Sequence, residues 1–214
     1  MELRRYKWVE IFSLIVFAGI TILALLEDET SIFYIIYLFW MDEFVKTIFD
    51  GLQYYLNKKR ITDPKAFRAI LNGRFFMLLI YVVFIIVLFG FVMDWGNQNA
   101  IILNLEVLFF KNTLFNLTVF GFLIREIIQY LDIRKKLLVP IHPIMSKAMM
   151  TLHISIILGV FIWALLSGKF GVDPINLGVY QTVAAITPFL LIKLFFEISE
   201  IKVRFREIQN INNI

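Results

Sequence analysis

The chain has 214 residues, 60% of them hydrophobic and 18% charged, with a net charge of +4 at pH 7 and no cysteine. A soluble globular domain is nearer about 45–50% apolar and 25% charged, so the apolar side chains here exceed what a protein core can bury and point to a bilayer as second solvent. The lack of cysteine removes disulfides, thiolate catalysis, iron–sulfur ligation and zinc–thiolate sites.

A membrane-spanning helix needs roughly 20 mostly apolar residues. The first segment that meets this is residues 8–26, ended by the acidic turn Glu27-Asp28-Glu29. It is too long for the apolar region of a signal peptide and lacks a small-residue cleavage site, so it reads as a first span. Residues 32–55 form a second span, which carries charges. Residues 75–93 form a third, the most uniformly apolar. Residues 113–131 form a fourth, 148–166 a fifth and 175–198 a sixth, with Pro188 expected to kink the last. Before the fourth, residues 100–111 hold Asn104, Glu106 and Lys111 among apolar neighbours. That stretch fits a surface helix, a re-entrant turn or an outer extension of span four. An interfacial helix running into span four is expected, because Glu106 and Lys111 are costly in hydrocarbon.

The basic residues decide the orientation. Arg4, Arg5 and Lys7 precede span one. Lys58, Lys59, Arg60, Lys65, Arg68 and Arg74 lie between spans two and three. Arg125, Arg134, Lys135, Lys136 and Lys147 lie at or between the ends of spans four and five, and Lys202, Arg204 and Arg206 follow span six. The alternate loops hold Lys169 and acidic residues such as Asp94 and Asp173. Basic residues stay on the cytoplasmic side. The fold class predicted is therefore all-α, a single polytopic transmembrane bundle over 1–214 with six spans and both ends cytoplasmic. Trp8, Trp95 and Trp163 sit near span ends, as an interfacial belt requires. The predicted partners are the bilayer and its anionic headgroups at the cytoplasmic face, with no nucleic acid. The location predicted is the plasma membrane or bacterial inner membrane.

Span two carries the chemistry. Asp42, Lys46 and Asp50 recur at i, i+4 and i+8, on one helical face, with Glu43 about 100° around from Asp42. The spacing suits pairing within the helix. Counted from Ile32, Asp42 and Glu43 fall near the bilayer midplane. An ionisable group there costs about 2.5–3.5 kcal/mol or more and faces protein or water. The functional reading is a polar pathway or binding site; the structural one is a paired stripe that fixes helix packing, with Asp50 already near the headgroups. His153, counted inward from the outer end of span five, is expected at about the level of Lys46, as a proton-transfer group or a structural hydrogen-bond donor. Lys193 and Glu197 are i, i+4 toward the cytoplasmic end of span six, where a snorkelling lysine and its local partner are the plainer reading. His142 lies in the Pro140–Pro143 loop. No nucleophile elbow, zinc-helix motif or phosphate loop occurs, so no cofactor, metal or catalytic residue is predicted.

In order along the chain, Phe39-Trp40-Met41-Asp42 with Glu43, then Pro143, Lys147 and His153-Ile154-Ser155-Ile156-Ile157-Leu158-Gly159, then Lys193-Leu194-Phe195-Phe196-Glu197, resemble the motifs of an uncharacterised bacterial integral-membrane family, a domain of unknown function. Those motifs are Tyr-Trp-x-Glu, His-x-x-Ile-x-x-Gly and Lys-x-x-x-acid. The resemblance spans about residues 32–200. Phe76, Tyr81, Phe84 and Phe91 fit the family's Phe-rich span, while Ile80 and Leu88 stand at its histidine positions. The family has no assigned activity. What the resemblance implies is a set of positions: Trp40, Asp42 or Glu43, His153, Lys193 and Glu197.

Three functions compete. A small transporter or ion/proton conductor would line its path with Asp42, Glu43, Lys46, His153 and Lys193, and would need a central cavity or assembly as a homo-oligomer. A membrane interaction or assembly protein would use the same charges only to hold helices together. An intramembrane enzyme acting on lipid or an isoprenoid would use Asp42, Glu43 and His153 as an acid/base set, with no motif behind it.

Overall fold

In a computed structural model, residues 2–27, 30–61, 63–133, 144–167 and 181–212 are described, with side chains for 8–27, 30–59, 61, 63–131, 144–166 and 181–203. The predicted loop 134–143, with His142, and residues 175–180 of the sixth predicted span lie outside the described residues. Among the described residues the chain is helical and no strand occurs. The helices are α1 (Glu2–Leu26), α2 (Ile32–Asn57), α3 (Pro64–Phe84, continuing as a π-helix over Ile85–Val92), α4 (Gln98–Leu108), α5 (Thr113–Ile133), α6 (Lys147–Ser167) and α7 (Gln181–Asn212).

Their starts follow from local side-chain chemistry. A short polar side chain occupies one of the amide donors that the first helical turn leaves unpaired. Ser31 accepts from the Tyr34 amide, Asp63 from the amides of Lys65 and Ala66, Asn97 from Ala100, Asn112 from Phe115 and Ser146 from Met149. Pro64 at the first position of α3 suits a site where no amide donor is needed. That cap starts α3 well before residue 75, so Arg68 and Arg74 are helical and not loop residues.

Five helical stretches are long and apolar enough to cross a membrane: Trp8–Leu26, Pro64–Val92, Gln98–Leu131, Lys147–Leu166 and Gln181–Val203. Gln98–Leu131 takes in α4 and α5. These two are separate helices, parted at Phe109–Asn112, where Phe110 adopts a left-handed φ of 57°. A continuous outer extension of span four is therefore not what forms. α2 is not among the five, because Asp42, Glu43, Lys46 and Asp50 interrupt its apolar run. It takes the centre instead: every residue from Phe33 to Glu43 is buried. α3, α5, α6 and α7 all pack on α2, while α1 bridges α5 and α7.

The contacts fix the helix directions. Phe115 stacks on Tyr37 and meets Tyr34, while Arg125 reaches Asp42, so α5 runs parallel to α2. Lys193 reaches Asp42 and Glu197 reaches Lys46, so α7 does too. Arg74 contacts Asp50 whereas Gly90 abuts Phe33, so α3 is antiparallel. Ser146 bonds Glu43 and Gly159 abuts Ile36, so α6 is antiparallel as well. Glu10 meets Gln129 and Phe17 stacks on Phe122, so α1 opposes α5. The six long helices thus alternate in direction, and the first and last described residues lie toward the same end of the bundle, here termed the inner end.

Aromatic side chains fill the outer half of the core. Phe17, Phe33, Tyr34, Tyr37, Phe39, Phe89, Phe115, Phe122 and Phe189 are all buried. The outermost layer is tied by Asn104 of α4, only 2% exposed. Its amide nitrogen donates to the carbonyls of Phe89 (3.3 Å) and Gly90 (3.5 Å) and to the Asp94 carboxylate (2.8 Å), and its oxygen accepts from Ser31 (2.8 Å). A π-helix shifts backbone bonds to a wider spacing, and Asn104 serves the carbonyls at that shift. Burial raises the pKa of Asp94, and the Asn104 bond acts in the opposite direction.

Candidate functional site: a buried charge network

The i, i+4, i+8 spacing on α2 turns Asp42, Lys46 and Asp50 toward neighbouring helices, each of which supplies a partner. Asp42 is fully buried. It accepts from Arg125 of α5 at 2.5 Å, from Lys46 of its own helix at 3.3 Å, and from Lys193 of α7. Lys193 also donates to Glu197 at 2.7 Å. Lys46 lies 3.3 Å from Glu43 and 3.4 Å from Glu197, so one ammonium serves three carboxylates. On the other side of α2, Arg74 of α3 contacts Asp50 and lies 3.4 Å from Glu43. Ser146, which caps α6, donates to Glu43 at 3.0 Å. Arg125 holds Glu126 at 2.8 Å. Five acids (Asp42, Glu43, Asp50, Glu126, Glu197) and four bases (Lys46, Arg74, Arg125, Lys193) are thereby joined across α2, α3, α5 and α7, all buried.

Desolvation explains the density of contacts. An ion transferred from water into a bundle core loses several kcal/mol of hydration even after relaxation, so each head group must find several opposite charges or donors. Aromatic faces add to this. The Lys193 ammonium sits 5.5 Å from the Phe39 ring centre and 6.0 Å from that of Phe17, and the Arg125 guanidinium lies 5.4 Å from the Phe122 ring. With a rise of about 1.5 Å per residue, Asp42 lies about 15 Å from the outer end of α2, and Asp50 about 12 Å further in.

A cavity of about 10 Å³ opens beside the network, lined by Glu10, Ser13, Leu14, Phe17, Asp42, Phe122, Arg125, Lys193 and Glu197. That is close to the least space that holds one water.

No family model, curated protein or solved structure matches the chain.

Of the residues the sequence pointed to, Asp42, Glu43, Lys46, Lys193 and Glu197 converge on one network. Lys193 does not snorkel to an interface; it is 3% exposed and pairs inward. Trp40 stands apart. Its indole N–H donates to the Leu78 carbonyl at 2.8 Å and its ring stacks between Tyr37 and Phe44, which pins α2 to α3. His153 stands apart too. It is exposed on α6, with Nδ1 3.0 Å from the Tyr81 hydroxyl. Because α6 meets Glu43 at Ser146 and Ile36 at Gly159, His153 falls outward of Glu43 and not level with Lys46.

Arg74, Arg125, Glu126, Ser146, Glu10 and Gln129 were missed by the sequence reading. In sequence Arg74 and Arg125 read as basic residues at cytoplasmic span ends; both are buried ion-pair partners. A signal for Arg125 existed, since it falls inside the predicted span 113–131.

Proposed function

We propose that the chain is a small transporter or ion conductor with six spans and both ends cytoplasmic, and that its intramembrane polar site is the network around Asp42. Alternating helix directions and the exposure of Lys58, Lys59, Lys65 and Arg68 at the inner end support that orientation. These residues meet anionic headgroups, each charge contributing about 1 kcal/mol near such a surface. α4, with Asn104 at the outer ends of α2 and α3, is the interfacial helix of that arrangement.

One observation carries the reading: nine buried ionisable groups are joined across four helices. Replacing a buried ion pair by apolar residues is commonly neutral or stabilising by about 1–4 kcal/mol, so stability gives little reason for nine such groups. Ionisable residues inside membrane bundles mark ion and substrate paths. The aromatic layer of Phe17, Phe39 and Phe122 above the network suits an outer closure and supports access from the inner side.

A second reading has its own support. Space for one water and a cation beside each of the five acids fit an assembly protein in which the network clasps helices in register. Proteoliposome flux assays separate the two. Wild type is expected to carry protons, Na⁺, K⁺ or a divalent ion above empty liposomes, and Asp42→Asn to lose that flux. No flux of any of these from wild type refutes the carrier and leaves the clasp.

A further inference from the structure

We infer that the ion handled at this network is the proton, and that Glu10 of α1 exchanges it with the water-sized cavity. This rests on the carrier reading above and names its substrate.

Size is the first argument. The cavity has about 10 Å³, room for one water. A hydrated ion or organic solute would need a wider space, and a bare cation would face Arg125 and Lys193 on the same wall as Asp42 and Glu197. Either sign of charge meets a like charge there. A proton needs no such space, because it moves by exchange of bonds between groups already in hydrogen-bond reach.

Connectivity is the second. Glu10 is 7% exposed and accepts from Gln129 of α5 at 2.7 Å. It shares the cavity with Glu197 and Asp42. From Glu197 the contacts continue through Lys46 to Glu43 and on to Ser146 at the start of α6. Outward of the cavity the path ends on Phe17, Phe39 and Phe122, which form an apolar layer. The proton therefore arrives from the inner end.

In the step itself, a proton from inner-side water binds the Glu10 carboxylate and neutralises it. The new O–H donates to the cavity water, which passes one of its own protons to Glu197. Glu10 returns to a carboxylate and the water is restored. Glu197, now neutral, weakens its contacts with Lys46 and Lys193, while the Lys193–Asp42 pair keeps α7 against α2.

The test uses the full chain in proteoliposomes loaded with a pH-sensitive dye, with K⁺ and valinomycin setting the potential, and parallel assays for Na⁺, K⁺ and Cl⁻. Wild type is expected to move protons and none of the other three. Glu10→Gln, nearly isosteric and beside Gln129, should lower proton flux at least roughly tenfold, with an unchanged elution profile in detergent. Asp42→Asn should lower it too. If wild type moves Na⁺, K⁺ or Cl⁻ but not protons, this inference fails and the carrier reading stands. If proton flux survives Glu10→Gln unchanged, Glu10 is not the exchange group and the inference fails. If nothing moves at all, both fail.

Discussion

The substitution Asp42→Asn asks the most of the network, because among the described residues Asp42 alone touches cations from three helices. Asparagine keeps the volume and removes the charge. Lys46, Arg125 and Lys193 then share a buried space with one counter-ion fewer. Breaking a buried pair by removing one partner costs about 3–5 kcal/mol, since the other charge stays desolvated. Here the lower end applies: Arg125 keeps Glu126 at 2.8 Å, and Lys46 and Lys193 keep Glu197. For a chain of this length, about 3 kcal/mol corresponds to roughly 6–12 °C in a thermal midpoint. Lys46→Met should cost about half as much or less. Its contacts are 3.3–3.4 Å, and each acid it leaves retains another cation: Arg125 and Lys193 for Asp42, Arg74 for Glu43, Lys193 for Glu197. The measurement is thermal unfolding in detergent followed by circular dichroism and by loss of the monodisperse elution peak. Asp42→Asn within 2 °C of wild type, or Lys46→Met the more damaging of the two, would refute the shared-counter-ion argument.

Three further outcomes follow from packing and hydrogen bonding. A Cβ at Gly159 would lie 2.5 Å from the Phe89 ring and 2.9 Å from the Ile36 side chain, so Gly159→Ala should destabilise by about 1–3 kcal/mol; a thermal midpoint at or above wild type contradicts the α2–α3–α6 contact. Asn104→Leu strands the Phe89 and Gly90 carbonyls and the Asp94 carboxylate. It should cost about 1–3 kcal/mol and raise amide exchange between residues 89 and 94, whereas unchanged exchange there would deny Asn104 its tie. His153→Phe removes a single bond to Tyr81 on an exposed face; it should shift the midpoint by no more than about 1 kcal/mol equivalent and leave any ion flux intact, and a loss of flux would return His153 to the site.

Much of the bundle was legible because hydropathy and helical period are local properties. The run 113–131 became Thr113–Ile133 and 148–166 became Lys147–Ser167, since an apolar stretch of that length in a membrane has no alternative to a helix. The inward face of α2 was also legible, from the spacing of Asp42, Lys46 and Asp50 and the cost of placing them against lipid. The separation of α4 from α5 was not, because Phe109–Asn112 holds neither glycine nor proline to announce a break.

By itself, the sequence determined that the chain is helical, that its surface suits a bilayer, and that α2 could not face lipid. Only the tertiary structure decided who answers the charges of α2. Arg74 and Arg125 look the same in sequence whether they anchor a loop end or neutralise a buried acid; helix direction and rotation make the difference. The same geometry excluded His153, whose depth could be counted along α6 but whose face could not. Charge pairing across helices depends on distances among residues far apart in the chain, from Asp42 to Lys193 or Glu43 to Arg74, and no local pattern encodes those distances.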